Sequence, residues 1–265
     1  MVREFENKNY WALILGGSSG LGLATAKKLA CHGMNICIVH RSRKTDIPEI
    51  QRHFAEITDQ KVALVAFNKD LLNATNKAEI IFDLKKAMRE KGKVKCLVHS
   101  VAKGNLKPMV ADDQKVLNHL DFSLTIDAMA LSLYDWFASL FGEGLFANDA
   151  RVISFTSEGG RKALPNYAAV SAAKASLEAI TRNIALEFAP YGIRANCIQA
   201  GVTDTASLRM IPHSHKIKEI AIKRNPFSRL TLAEDVADAV YLLCKKEAAW
   251  INGCIIPVDG GEHLS

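Results

Sequence analysis

The chain has 265 residues, of which 49% are hydrophobic and 23% charged, and its formal net charge is +6. This length and balance are typical of a globular domain with a substantial core, and they exclude a disordered or fibrous protein. The N-terminus has no apolar signal segment and no stretch is long enough to span a bilayer, so we expect a cytoplasmic protein without membrane contact.

Short apolar runs alternate with longer amphipathic segments along the chain. The short runs have the length and continuous hydrophobicity of strands that are buried on both faces, at residues 11–15, 35–39, 62–67, 94–99, 151–155, 194–198 and 254–258. Helices are predicted between them, for example at residues 21–32, 76–91, 168–188 and 231–245. The pattern predicts a single α/β domain over residues 1–265, with a Rossmann-type, doubly wound, seven-stranded parallel sheet.

A glycine-rich turn joins the first predicted strand to the first predicted helix. It contains the pattern G-x-x-x-G-x-G. In this position glycines let a pyrophosphate approach backbone amides at the helix N-terminus. The turn therefore predicts a dinucleotide site, although a tight turn that only packs the helix on the strand is the alternative. The predicted contacts are Gly16, Ser18, Ser19, Gly20, Leu21 and Gly22.

The end of the second strand bears on the choice of nicotinamide cofactor. An acid there accepts a hydrogen bond from a free ribose 2′-hydroxyl, whereas an arginine favours a 2′-phosphate. Here the strand runs into His40-Arg41-Ser42-Arg43-Lys44, and the first acid is Asp46. We therefore expect NADPH, with Arg41 as the phosphate ligand because it lies nearer the strand than Arg43. A solvated basic loop is the alternative.

One residue and three short segments at the ends of later predicted strands are also informative. They are Asp70, His99-Ser100-Val101-Ala102, Gln199-Ala200-Gly201-Val202-Thr203-Asp204-Thr205 and Val258-Asp259-Gly260-Gly261. Together with the glycine turn they resemble the short-chain dehydrogenase/reductase superfamily over nearly the whole chain, with Ala200 in place of the family's proline. The resemblance implies further cofactor contacts from Asp70, Leu71, Ser100, Val101, Ala102, Val202, Thr203 and Thr205.

Six residues separate Tyr167 from Lys174, where a simple carbonyl reductase of this superfamily would have three. The flanking segments are Leu164-Pro165-Asn166-Tyr167 and Lys174-Ala175-Ser176-Leu177-Glu178-Ala179. With the His-Ser-Val-Ala stretch, they are similar to the enoyl-acyl-carrier-protein reductases of bacterial fatty-acid synthesis. The ordinary glycine turn and the long interval together resemble the NADPH-dependent type of that enzyme.

The interval also has a physical meaning of its own. A step of seven residues on a helix turns by about 700° and rises roughly 10 Å, so Tyr167 and Lys174 share one face. A step of four rises only about 6 Å, so the longer interval moves the phenol about one turn further from the ammonium.

The two candidate reactions need different things from that phenol. Ketone reduction needs a tyrosine, with its pKa lowered by a close lysine, to deliver a proton to the carbonyl oxygen. Enoyl thioester reduction develops negative charge on the thioester oxygen, to which a displaced Tyr167 would donate a hydrogen bond. Lys174 would then chiefly bind the nicotinamide ribose.

Two other positions bear on this choice. Ser157 follows the fifth strand, where the superfamily keeps a substrate-positioning hydroxyl, and it joins Tyr167 and Lys174 as a candidate catalytic residue. A turn serine that bonds to its own backbone is the alternative. Asp127 takes the place of an asparagine that organises a proton relay in many carbonyl reductases of the superfamily, which weakens the ketone-reductase interpretation.

An insertion at about residues 203–228 lies where the family has its mobile substrate-binding loop. A basic rim there would steer an acidic acyl carrier protein to the pocket, and apolar residues between would line an acyl channel. A solvated amphipathic helix is the alternative. The basic residues are Arg209, His213, His215, Lys216, Lys218, Lys223 and Arg224, and the apolar ones are Leu208, Met210, Ile211, Ile217 and Ile220.

These features predict an NADPH-dependent reductase of trans-2-enoyl thioesters on acyl carrier protein, in type II fatty-acid synthesis. The alternatives are a 3-oxoacyl or other carbonyl reductase of the superfamily, and a non-catalytic NADPH-binding sensor. The apolar helices at residues 123–141 and 168–188 predict a homo-oligomer, and related reductases pair them in tetramers. We expect no metal, since His213 and His215 lack a third ligand, and no nucleic acid, since no basic stripe carries interleaved aromatic residues.

Overall fold

The computed structural model of the protein describes residues 2–211 and 214–265. Its strands are β1 (Tyr10–Leu15), β2 (Asn35–His40), β3 (Leu64–Asn68), β4 (Lys93–His99), β5 (Phe146–Thr156), β6 (Ile193–Ala200) and β7 (Ile255–Val258). Within the covered ranges they form one parallel sheet in the order β3-β2-β1-β4-β5-β6-β7. This order confirms the predicted doubly wound seven-stranded sheet, because the chain reverses its direction of winding between β1 and β4.

Helices cover both faces of the sheet. They are α1 (Gly20–Cys31), α2 (Ile47–Thr58), α3 (Ala74–Met88), α4 (His119–Ile126), α5 (Ser132–Gly142), α6 (Ala168–Glu187), α7 (Ala206–Arg209), α8 (Ser214–Arg224) and α9 (Ala233–Cys244). A π-helical segment (Asp127–Leu131) connects α4 to α5. Of the helices in the covered ranges, none has the length and apolar character that a membrane span requires.

The core consists of two apolar layers, one on each face of the sheet. Successive residues of a strand point to opposite faces, so Leu13 packs in the layer that contains Trp136 of α5 and Leu177 of α6. Ile14 packs in the other layer, with Val240 of α9. Because helices cover both faces, the loops at the carboxyl ends of the strands are left to form a site.

Candidate active site

The glycine turn after β1 packs directly against the end of β4. A Cβ added at Gly16, whose φ is +86°, would lie 2.3 Å from the carbonyl oxygen of Ser100. A Cβ added at Gly22 would lie 2.3 Å from the carbonyl oxygen of Gly16. Both positions require glycine, because these oxygens belong to the backbone and cannot turn away. The turn and the segment after β4 therefore form one cradle.

The first turn of α1 fits an anionic group. Within the described part of the chain its N-cap, Ser19, makes no side-chain capping hydrogen bond, and residues 20–23 include no acid. Backbone N–H groups there remain available to a ligand. The methyl group of Thr205 lies 3.2 Å from a Cβ position built on Gly20, so the loop after β6 reaches the glycine turn, next to Leu21. These residues fit the pyrophosphate of a dinucleotide.

Arg41 forms an ion pair with Asp70, another of the expected cofactor contacts. Its Nη1 lies 2.7 Å from Asp70 Oδ2, and the arginine side chain is 68% exposed. The backbone N–H of Ser42 donates to Asn68 Oδ1 at 2.9 Å, and Ser42 Oγ lies 3.2 Å from Ser18 Oγ. The ends of β2 and β3 and the glycine turn are therefore linked. Arg41 and Asp70 form one charged pair instead of two separate contacts.

The other expected cofactor residues after β3 and β4 differ in their exposure. The carbonyl of Leu71 accepts a hydrogen bond from Trp136 Nε1 at 2.9 Å. Val101 packs against the core layer of α5 and α6, whereas Ala102 is exposed. Leu71 and Val101 are therefore held by the core, and Ala102 begins a stretch of the β4–α4 connection that has no regular secondary structure.

The loop after β6, which includes Thr205, is held by the C-terminal part of the chain. The backbone N–H of Val202 donates to Glu262 Oε2 at 3.1 Å, and Thr203 Oγ1 donates to the Gly201 carbonyl at 3.0 Å. Glu262 is 3% exposed, and burial raises the pKa of its carboxyl group. The segment that carries the expected cofactor contacts Val202, Thr203 and Thr205 therefore has a defined backbone position.

Tyr167 is the N-cap of α6 and faces Ser157. Its φ and ψ are −111° and 1°, so it lies just before the helix, and the seven-residue step to Lys174 is not helical throughout. Its hydroxyl lies 3.4 Å from Ser157 Oγ. Burial raises the pKa of the phenol, and the hydrogen bond with Ser157 opposes that rise. The phenol therefore keeps its proton at neutral pH and is a hydrogen-bond donor.

Lys174 points from α6 to the end of β5. Its Nζ donates to the carbonyl of Phe155 at 2.6 Å, and the residue is 7% exposed. Burial lowers the pKa of this ammonium to about 8, against the opposing effects of Cys197 and Glu178. Tyr167 and Lys174 therefore lie at the same end of α6, but the ammonium bonds the β5 backbone.

An ion pair ties the basic segment to the loop that carries Ser157. Arg224, at the end of α8, donates from Nη1 and Nη2 to the two carboxylate oxygens of Glu158 at 3.0 and 2.9 Å. Glu158 follows Ser157 directly, and Arg224 is the main cause that holds the pKa of its carboxyl group below the usual range. The end of α8 is therefore fixed against the candidate catalytic loop.

The expected basic rim is partly neutralised by such pairs. Arg209 and Lys218 both bond Asp204, at 2.9 and 3.3 Å. His213 lies outside the described residues. Of the apolar residues expected to line a channel, Met210 is 78% and Ile220 57% exposed. The charge available to a partner on this surface is therefore smaller than the sequence alone indicates.

Comparison with known proteins identifies the family of this chain. A family model described as Enoyl-(Acyl carrier protein) reductase matches residues 16–263. The chain belongs to this family. The NADH-dependent enoyl-acyl-carrier-protein reductase FabI of Aquifex aeolicus is 29% identical, over 96% of this chain and 91% of that protein. Its crystal structure has the same fold, with a TM-score of 0.82 at 24% identity over 98% of both chains.

Relatives with other substrates are nearly as similar. Mouse peroxisomal 2,4-dienoyl-CoA reductase is 26% identical over 96% of this chain and 84% of that protein. The 3-oxoacyl-acyl-carrier-protein reductase FabG of Chlamydia muridarum is 24% identical over 96% of this chain and 97% of that protein. The chain is thus an oxidoreductase of the short-chain dehydrogenase/reductase superfamily, whose members use a nicotinamide cofactor.

Asp127, the residue expected in place of a proton-relay asparagine, lies at the surface. Asp127 begins the π-helical segment, is exposed, and lines a depression of about 400 Å³ together with Lys103 and Asp135. Met129 of the same segment is buried in the small apolar cluster against which Tyr167 packs. Asp127 therefore points to solvent, while buried residues of the same segment pack on the side of Tyr167.

Sequence reasoning missed a buried carboxylate beneath the candidate site. Glu178 of α6 is 5% exposed, and its Oε1 accepts a hydrogen bond from Thr156 Oγ1 at 2.7 Å. It lies four residues after Lys174 and so on the same helix face. That spacing was a usable signal, because an acid on the buried face of a helix requires a partner.

Proposed function

We propose that this oxidoreductase reduces trans-2-enoyl thioesters with NADPH, on acyl carrier protein, in type II fatty-acid synthesis. The observation that supports this proposal most is that the Tyr167 phenol stays protonated. Burial raises the pKa of the phenol, while Lys174 bonds the Phe155 carbonyl. A phenol of raised pKa stays protonated and is a weak acid, which suits hydrogen-bond donation to an enolate oxygen better than proton delivery to a ketone.

The residues of the chain would divide the work as follows. Bound NADPH would supply a hydride for the β-carbon of the enoyl group, and a proton taken up from solvent at the α-carbon would complete the reduction. Tyr167 would donate a hydrogen bond to the thioester oxygen as negative charge develops there, and one such donor contributes about 3 kcal/mol. Lys174 would hold the nicotinamide ribose and add positive field. Arg41 would bind the 2′-phosphate after release from its pair with Asp70.

The partner and the assembly are part of the same proposal. Lys216 and Lys223 are exposed on α8 and would attract an acidic acyl carrier protein to the segment of about residues 203–228. An exposed apolar stripe along α4 and α5 supports a homo-oligomer, for which we propose a tetramer. The stripe consists of Leu120, Leu124, Leu131 and Tyr134.

Carbonyl reduction is the second candidate, and the hydrogen bond between Ser157 and Tyr167 favours it. Two hydroxyl groups 3.4 Å apart would position a carbonyl oxygen between them. Steady-state oxidation of NADPH separates the candidates. We expect turnover with crotonyl thioester and little with acetoacetyl thioester. The opposite result would indicate a carbonyl reductase, and tight NADPH binding without turnover of either substrate would indicate a sensor.

A further inference from the structure

Glu178 is a buried acid one helical turn beyond Lys174. Carboxylates are almost never fully buried unless they are paired. Thr156 donates a hydrogen bond to one of its oxygens, and Arg161 Nε lies 3.8 Å from the other. The Arg161 side chain is 62% exposed, so water and salt screen its charge. Lys174 is the buried cation that lies on the same helix face.

The turn after β5 closes over both side chains. A Cβ added at Gly160 would lie 3.1 Å from Glu178 Oε1 and 3.3 Å from Lys174 Cβ. Both side chains therefore occupy the space between α6, β5 and this turn. Solvent is excluded from that space, so opposite charges attract each other more strongly than they would on the surface.

The other titratable groups that face Lys174 are uncharged at neutral pH. His99 on β4 is neutral, because burial and then the Lys174 ammonium lower its pKa to about 3. Cys197 on β6 is a thiol, because burial raises its pKa. Tyr167, at the start of α6, keeps its proton for the same reason. Among these described groups, Glu178 supplies the negative charge that balances the ammonium.

We propose that Glu178 is a positioning residue that keeps Lys174 charged and its Nζ on the Phe155 carbonyl. Without the carboxylate, the buried ammonium would be uncompensated and would lose its proton more readily. The consequence for catalysis rests on the proposed function, since a neutral lysine would supply neither the positive field near Tyr167 nor a strong donor to the ribose. The charge state itself does not depend on that function.

The charge state can be measured directly by NMR titration of protein that contains ¹³C-labelled lysine. The Lys174 signal is assigned by its loss in Lys174→Arg. We expect a wild-type midpoint near 8, which falls by about one pH unit or more in Glu178→Gln. Glu187→Gln is the matched control, because it removes an exposed acid from the same helix and should leave the midpoint unchanged. An unchanged midpoint in folded Glu178→Gln would overturn the proposal.

A second variant keeps the test decisive if Glu178→Gln does not fold. Glu178→Asp retains the charge but withdraws it by one methylene, so we expect a smaller fall of the Lys174 midpoint. A midpoint no lower than that of wild type would contradict the role of Glu178. The titration needs no turnover, so its result is independent of the proposed function. If the variants show the expected shift but the wild-type enzyme does not reduce crotonyl thioester, only the proposed function is contradicted.

Discussion

The loops at the carboxyl ends of the strands fall into two groups, which are held in place by different interactions. In the cofactor half, at the ends of β1 to β4, glycine lets backbone segments touch, as between Gly16 and Ser100. In the catalytic half, at the ends of β5 and β6, buried polar groups and ion pairs hold the loops, as at Lys174 and between Arg224 and Glu158. A substitution at these glycines should displace backbone, whereas a substitution of these polar groups should change charge or hydrogen bonding.

The largest effect is expected at Tyr167, in the catalytic half. Tyr167→Phe removes the donor to the developing oxyanion, so we expect kcat with enoyl thioester to fall by about 10²- to 10³-fold. The ring would still pack against Gly159, so the affinity for NADPH should change little. Steady-state kinetics and cofactor fluorescence measure the two quantities separately.

Lys174→Ala is the companion variant in this comparison. Its ammonium is expected to bind the nicotinamide ribose, so this variant should weaken NADPH binding as well as lower kcat. If Tyr167→Phe and Lys174→Ala weakened cofactor binding equally, the two side chains would not have the separate roles that we assign to them.

Gly22→Ala should have the next largest effect, and in the cofactor half. The new methyl group would meet the Gly16 carbonyl at 2.3 Å, so the backbone of the turn must move. We expect a loss of about 2 kcal/mol in NADPH binding, or about 30-fold in Kd, with a lower Tm. Gly142→Ala, at the end of α5, is the control, because its Cβ position has no neighbour within 4 Å. Equal effects of both substitutions would contradict the cradle.

The cofactor half was readable from sequence because its determinants are local. The glycine pattern of Gly16, Gly20 and Gly22 needs only its place between a strand and a helix, both of which hydrophobic pattern predicts. The seven strands followed in the same way, because strands buried on both faces are continuous apolar runs. The bounds of α6 were predicted to within one residue, since Phe188 directly follows the helix.

The catalytic half was less readable because its contacts join distant parts of the chain. The bond from Lys174 to the Phe155 carbonyl and the hydrogen bond from Thr156 to Glu178 depend on how α6 packs against β5. Asp127 begins a π-helical turn, which has no simple sequence signature, and it is exposed, whereas Met129 of the same turn is buried in the cluster against which Tyr167 packs. Charge counting likewise overstated the basic rim, because partner acids such as Glu158 come from another loop.

Substitution of Arg41 tests whether a charged side chain in the cofactor half determines the preference for NADPH over NADH. Arg41→Ala should raise the KM for NADPH about tenfold relative to the KM for NADH, since a charge-assisted bond to phosphate is lost. Arg43→Ala is the matched control, and we expect the ratio to remain near that of wild type. A ratio that responds only to Arg43→Ala would transfer the phosphate contact to that residue, and no response to either would support NADH.

The smallest effect is expected at the ion pair between Arg224 and Glu158. A double-mutant cycle with Arg224→Gln and Glu158→Gln should give a coupling free energy of about 1 kcal/mol or less at pH 7. Arg224 lowers the pKa of the Glu158 carboxyl in the folded protein, so the coupling is full above the unfolded pKa of about 4.3. It should vanish as the pH falls through the lower, folded pKa.

The exposed pair of Arg229 and Asp235 is the control for this cycle, because it lies outside the contact between α8 and the Ser157 loop. We expect a smaller coupling there, since its arginine side chain is 52% exposed, against 25% for both members of the Arg224 pair. Denaturant unfolding at several pH values gives both couplings. Equal couplings would mean that the link between α8 and Glu158 is an ordinary surface contact, and that buried groups alone hold the catalytic half.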